Sequence, residues 1–271
     1  MNGAAPPDPP PVLLPQLARI ELRDPLFISD LHLNAGAPAT LARFLRFCAE
    51  DAAGHAELVI LGDLFEYWIG DDTLDDDSDT VSRMVADALH SLNGRGVQIC
   101  VMHGNRDLLL GARFLRAAGA RLLADPAVAV IGGREVLLAH GDAWCTQDVE
   151  YMRFRASIRQ EAMQRQFLAG PRAARQAFMG AARARSEAGK RAKAMQIMDV
   201  TPEAVDAALR ASGLHQLIHG HTHRPAVHRF VLDGQPAERW VLPDWDFDAQ
   251  TVRGGAIAVS RGELVNVALA A

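Results

Sequence analysis

Apolar positions along the chain follow two rhythms. Runs with little polar interruption occur within Arg23–Leu31, Glu57–Leu61, Val97–Met102, Arg134–Ala139 and Leu214–Ile218. Such short runs, bounded by glycine and polar residues, predict strands buried on both faces. Between them apolar residues return every three or four positions. Leu41, Phe44, Leu45 and Cys48 share one face of a helix predicted over Thr40–Ala53, Val81–Leu92 repeats the pattern, and a third helix is expected near Ala112–Ala118. Thr201-Pro202-Glu203 opens another, with threonine as N-cap and proline in the first turn. Alternating strand and helix predict an α/β fold. After Ile218 the pattern changes to short strands, Val227–Leu232, Glu238–Leu242, Ala256–Ser260 and Glu263–Leu269, parted by Asp233-Gly234 and Arg261-Gly262 turns. These are expected to complete a second sheet, with Trp240, Trp245 and Phe247 as packing residues.

Each buried run leads into residue types that bind metals. The transitions read Asp30-Leu31-His32, Gly62-Asp63, Gly104-Asn105-Arg106-Asp107, His140-Gly141-Asp142 and Gly220-His221-Thr222-His223. In extended backbone, residues two apart point the same way, so Asp30 with His32, and His221 with His223, can each face one small volume. Any one of these has an ordinary explanation: Asp30 alone reads as a helix cap, and two histidines cannot close a metal site. Five in succession at strand ends, brought to one sheet edge where open α/β folds carry their sites, do not. Asp30, His32, Asp63, Asn105, His140, His221 and His223 exceed the roughly four to six ligands of one ion and suit two. Oxygen and imidazole donors without cysteine favour Mn, Fe, Zn or Co over calcium or a structural zinc. Two ions about 3.5–4 Å apart can clamp a phosphoryl group and activate water, which points to phosphoester or phosphoanhydride hydrolysis.

Composition narrows the remaining classes. The chain has 271 residues, 49% hydrophobic, a net charge of -5 and no apolar run long enough to span a membrane. One α/β domain over 21–271 with an insertion over 151–199 accounts for the length. Residues 1–20 read as a mobile Pro-rich tail, and the first sixteen lack the charged and apolar regions of a signal peptide. Cys48, Cys100 and Cys145 are scattered and odd in number, so a reducing, cytoplasmic setting is expected and Cys145 is read as structural. The acidic run Asp71, Asp72, Asp75, Asp76, Asp77 and Asp79 lacks the glycine and distal glutamate of a calcium loop and reads as a solvated loop and helix start. His103 is given no role. Tyr151–Ala194 carries eleven basic against two acidic residues, with Phe154, Ile158, Met163, Phe167, Leu168, Phe178 and Met179 on helical faces and a break at Gly170-Pro171. Two basic helices with bulky apolar residues suit a lid for a phosphorylated, acylated substrate at a membrane surface.

The five motifs together resemble those of the calcineurin-like metallophosphoesterases. The resemblance implies a sandwich of two mixed β-sheets flanked by helices, with an inserted helical cap. It further implies Asp30, His32 and His223 on one ion, Asn105, His140 and His221 on the other, and Asp63 bridging, with catalytic roles for Asp63, His140 and Arg106. Arg106 stands where many members have histidine, so guanidinium stabilisation of the transition state replaces a histidine acid. Gly62–Asp72, His140-Gly141-Asp142 with Cys145-Thr146, Ile197–Val200 and His219–Pro225 are similar to the branch that cleaves UDP-2,3-diacylglucosamine in lipid A biosynthesis. That branch uses two Mn2+ to direct water at the α-phosphorus, giving UMP and 2,3-diacylglucosamine 1-phosphate, at the cytoplasmic face of the inner membrane. By the same resemblance Asn105, Arg106, Asp148, Ser186, Lys190, Lys193 and His221 contact substrate, with no nucleic acid and no obligatory protein partner. The rivals are a cyclic-nucleotide or dinucleoside-polyphosphate hydrolase, a nucleic-acid phosphodiesterase, and a binding scaffold without turnover.

Overall fold

A strand made of consecutive branched apolar residues must be covered on both faces, and the layering of this protein answers that demand. The computed structural model describes residues 17–192 and 199–270. In it the chain runs β1 (Ala18–Leu22), β2 (Pro25–Ile28), α1 (Pro38–Ala49), β3 (Glu57–Leu61), α2 (Thr80–Gly94), β4 (Gln98–Met102), α3 (Ala112–Ala118), β5 (Ala120–Leu123), β6 (Ala127–Ile131) and β7 (Arg134–Ala139). There follow α4 (Val149–Ile158), α5 (Glu161–Leu168), α6 (Arg172–Ala192), α7 (Pro202–Ser212), β8 (Gln216–His219), β9 (Ala226–Leu232), β10 (Gln235–Val241), β11 (Gly255–Ser260) and β12 (Glu263–Ala268). One mixed sheet has the order β1-β6-β7-β8-β10-β9, the other β12-β11-β2-β3-β4-β5.

Alternation along β3 assigns the layers. Val59 and Leu61 join Phe27, Cys100, Met102, Leu138, Ile218 and Trp240 in the layer between the sheets. Leu58 and Ile60 turn the other way, into a core with Phe44 of α1, Val85 and Leu89 of α2 and Phe114 of α3. On the far side of the first sheet, Leu137 and Leu217 pack against Val205 and Leu209 of α7. The result is the helix–sheet–sheet–helix sandwich that the motifs implied.

Several expectations change. The ordered sheet begins at Ala18, inside the stretch read as a tail; β1 pairs with β6, and both escaped prediction because each is short and β6 uses alanine on the face that meets the other sheet. Residues 1–16 lie outside the described residues. The late strands do not form one second sheet: β9 and β10 extend the first sheet while β11 and β12 extend the second. Thr201 makes no side-chain cap of α7, its hydroxyl being 2.6 Å from that of Thr146. Among the described residues the insertion holds three helices, not two. Besides the Gly170-Pro171 break, the chain turns at Gln160, and the Gln164 side chain donates to the carbonyl of Ile158 (3.1 Å) that α4 leaves free.

The acidic run is bonded rather than merely solvated. Asp71 accepts from the backbone N–H groups of Gly111 and Arg113 (both 2.9 Å) at the start of α3, and Asp79 caps α2. Asp72 and the carbonyl of Ile69 receive the buried Arg175 of α6, while Asp76 pairs with Arg172 (3.0 Å). Phe44, with no exposure, packs edge-on to Trp245. Phe44→Ala should cost about 3–5 kcal/mol of unfolding free energy, read as a lower thermal midpoint without loss of the sheet signal in circular dichroism.

Candidate metal centre

Loops leaving β2, β3, β4, β7 and β8 meet at one end of the sandwich, so the strand tips come from both sheets rather than from one edge. Asp30, His32, Asp63, His221 and His223 all adopt left-handed backbone, with φ of 54°, 49°, 52°, 68° and 53°. Outside glycine such conformations cost about 1–3 kcal/mol each and persist only where the surroundings dictate them. Here the N–H groups of Asp30, Leu31 and His32 are tied to the carbonyls of Gly62 and Asp63 at 2.9–3.1 Å. Close approach also demands glycine at two places: a Cβ on Gly104 would strike the carboxylate and amide of Asp63, and one on Gly220 would strike Ser29 and Asp30.

The turned loops bring the side chains into two groups, Asp30 with His32 and His223, and Asp63 with His140 and His221, the ligand atoms of each lying within 4.8 Å of one another. The Nε2 atoms of His32 and His223 face each other at 3.3 Å, and Nε2 of His223 is 3.5 Å from Asp30 Oδ1. Asp63 lies between the groups, 3.9 Å from His32 Nε2 and 3.7 Å from His140 Nε2. Asn105 Oδ1 is 3.0 Å from His140 Nε2. His221 and His223 therefore serve different groups, against the shared volume expected from their spacing: a left-handed residue breaks the alternation of extended chain.

Charge is concentrated where water is absent. Asp30 and His140 have no exposure and Asp63 only 2%. Burial opposes ionisation of Asp30, but the adjacent His223 imidazole, with His140 and His32, holds its carboxyl well below the usual range. Burial, reinforced by Asp30, pushes Asp63 up. His140 is raised to about 9 against its burial by Asp63, Asp30 and Asp142, and His223 to about 10 by Asp244 and Asp30. Burial and the charge of His140 depress His221 to about 3. Oδ1 of Asp30 is buried without any hydrogen bond. An orphaned carboxylate oxygen, facing imidazole nitrogens and a mixed N and O donor set fit divalent cations.

An outer layer, not anticipated from the sequence, aims these donors. His140 Nδ1 donates to the carbonyl of Leu61 (2.9 Å); His223 Nδ1 is 3.5 Å from Asp244 and His32 Nδ1 3.5 Å from Glu66. Each partner turns Nε2 toward the site. Asp107, fully buried, accepts from the N–H groups of Gly104 (2.8 Å), Leu64 (2.7 Å) and Asp63 (3.3 Å) and so joins two of the loops. Its signal was present in the Gly-Asn-Arg-Asp motif. Arg106 donates its backbone N–H to Asp63 Oδ1 (2.9 Å), and its buried Nε has no hydrogen-bond partner. Asp148 caps α4 through the N–H of Tyr151 (3.1 Å). Ser186 and Lys190 fall on α6, and Lys193 lies outside the described residues. His103 bonds the carbonyl of Leu110 (2.8 Å), and Cys145 is buried with its thiol pushed up to about 12 by desolvation.

The calcineurin-like phosphoesterase family model matches residues 25–225, so the chain belongs to that family. It is 51% identical over 220 residues to the UDP-2,3-diacylglucosamine hydrolase of Chromohalobacter salexigens, covering 81% of this chain and 88% of the relative. The proteins of the same name from Ralstonia nicotianae and Aeromonas salmonicida are 49% and 47% identical, each over 88% of this chain and 90% of their own length.

If Glu66 and Asp244 orient the imidazoles, Glu66→Gln and Asp244→Asn should each weaken metal binding about 10–100-fold, measured by competition with a chelator, while the fold is retained.

Proposed function

We propose that the chain is a metal-dependent hydrolase that cleaves the pyrophosphate bond of UDP-2,3-diacylglucosamine, releasing UMP and 2,3-diacylglucosamine 1-phosphate in lipid A biosynthesis. The observation that carries this reading is a two-group donor site beside an insertion with exposed apolar side chains, in a chain about half identical to hydrolases named for that substrate. Asp30, His32 and His223 would hold one ion and Asn105, His140 and His221 the other, with Asp63 between them. Ions bound there supply Lewis-acid polarisation of a phosphoryl oxygen and a lowered pKa for attacking water. Manganese is our choice of metal. Arg106 has an unpartnered Nε beside Asp63 and is suited to meeting the charge that develops on the α-phosphoryl group. The leaving group is a sugar phosphate, a weak base that needs little help from an acid, so arginine in place of histidine is chemically consistent.

Phe154, Met163, Leu168 and Phe178 of the insertion are exposed, between 41% and 55%. Outward-facing apart from the edge contact of Phe178 with Phe167, they suit acyl chains, and we assign the insertion as a cap. Its cations are fewer than the sequence suggested, because Arg155, Arg159, Arg172 and Arg175 are engaged with carboxylates of the body. Among the described residues no helix is long and apolar enough to cross a membrane. Peripheral attachment to the cytoplasmic face of the inner membrane would then rest on the apolar face more than on charge. Substrate contacts are assigned to Asn105, Arg106, Asp148, Ser186, Lys190, Lys193 and His221.

Chelated protein resupplied with manganese should release UMP from UDP-2,3-diacylglucosamine far faster than it turns over bis-p-nitrophenyl phosphate or cyclic AMP; activity confined to the small diesters would remove the lipid substrate from the account. His223→Ala and Asp63→Ala should lose metal and turnover together. Arg106→Ala should reduce turnover about 10²–10³-fold with metal content intact, and a fall in bound metal would instead make Arg106 a support of the ligand shell.

A further inference from the structure

Asp142 is a buried carboxylate, two residues beyond His140, with no exposure. Nothing in the hydrolysis requires it, yet three side chains of the insertion converge on it. The Tyr151 hydroxyl donates at 2.7 Å, Arg155 Nε at 2.9 Å and Arg159 through one guanidinium nitrogen at 3.2 Å. Tyr151, Arg155 and Arg159 are spaced by four, so they form one stripe along α4 and its C-cap. Their carboxylate partner is supplied by the loop that carries His140. No side chain of α4 is fully buried and its apolar Met152 and Ile158 are only half-buried, so the polar contact carries much of its anchorage.

Two consequences reach the site. The ring of Tyr151 stacks on that of His221, with centroids 5.9 Å apart and planes at 30°. Asp148, a residue we assign to substrate binding, is the N-cap of the same helix. Where α4 sits thus sets Asp148 and the cover over His221. We propose that Asp142 is a positioning residue: its carboxylate docks α4 against the metal-ligand loops, and through that docking it governs use of the large acylated substrate rather than the hydrolytic chemistry. The assignment to an acylated substrate rests on the proposed function; the docking itself does not.

The test compares Arg155→Gln/Arg159→Gln, altered on the cap side, with Asp142→Asn, altered on the body side, and with Tyr151→Phe, which removes one hydroxyl and is the least disruptive to folding. Amide hydrogen exchange over α4, with manganese bound, reads docking without any substrate. The arginine pair should exchange at least about tenfold faster over α4 than the unaltered protein, since hydrogen bonds to a charged group are lost. It should raise KM for UDP-2,3-diacylglucosamine by a comparable factor, and keep its metal content and its turnover of bis-p-nitrophenyl phosphate. Combining Asp142→Asn with the arginine pair should add little to either alone, because both break the same contact. Unchanged exchange over α4 in the arginine pair would overturn the proposal, as would equal loss of both activities together with bound metal. Faster exchange over α4 in a protein inactive on the lipid substrate would retain the docking role and discard the proposed substrate.

Discussion

Two carboxylates withdrawn from water, Asp30 and Asp63, set the terms for everything around them. Burying an ionised carboxylate without compensation costs several kcal/mol, and Asp30 retains an oxygen with no hydrogen bond at all. The backbone answers with N–H groups: that of His221 meets Asp30 at 2.8 Å, and that of Arg106 meets Asp63 at 2.9 Å. Four imidazoles complete the surroundings. To bring them there the chain accepts left-handed conformation at five donors and forgoes side chains at Gly104 and Gly220. A second ring, Glu66, Asp107 and Asp244, then holds the donors in place. Strain, burial and charge all point into the same two volumes, which is a coherent arrangement for cations and an incoherent one without them.

The sandwich exists to deliver these loops to one place. β2, β3 and β4 belong to one sheet and β7 and β8 to the other, so the site straddles the layer that Val59, Leu61 and Leu138 fill. The insertion between β7 and β8 is held to this end by Asp142 and by the buried Arg175, whose partners Asp72 and Ile69 stand on the loop after Asp63. Metal loops and insertion therefore form one mechanical unit, with apolar side chains of the insertion left outward.

Much of the site was legible because its residue types recur at strand ends, and each motif is short and local. The reason given by spacing alone was nevertheless incomplete. Alternation predicts that His221 and His223 share a volume, whereas φ values of 68° and 53° send them to different groups. Asp107 lay within a recognised motif, but its work is done through backbone N–H groups that no side-chain pattern records. Glu66 and Asp244 could not be read, being 34 and 21 residues from the histidines they aim and reaching them from the loops of neighbouring strands, β3 beside β2 and β10 beside β8. The same limit applies to the cations of the insertion. Their charge is visible in the sequence, while Asp72, Asp76 and Asp142, which neutralise them, become neighbours only on folding.

The most direct test of this account is a titration of manganese into metal-stripped protein, with bound metal and UMP release followed together. The account predicts that release of UMP from UDP-2,3-diacylglucosamine is absent in the stripped protein and rises in step with binding to the two donor groups. Undiminished release from the stripped protein, or full release in a chain whose Asp63 has been replaced by alanine, would contradict it.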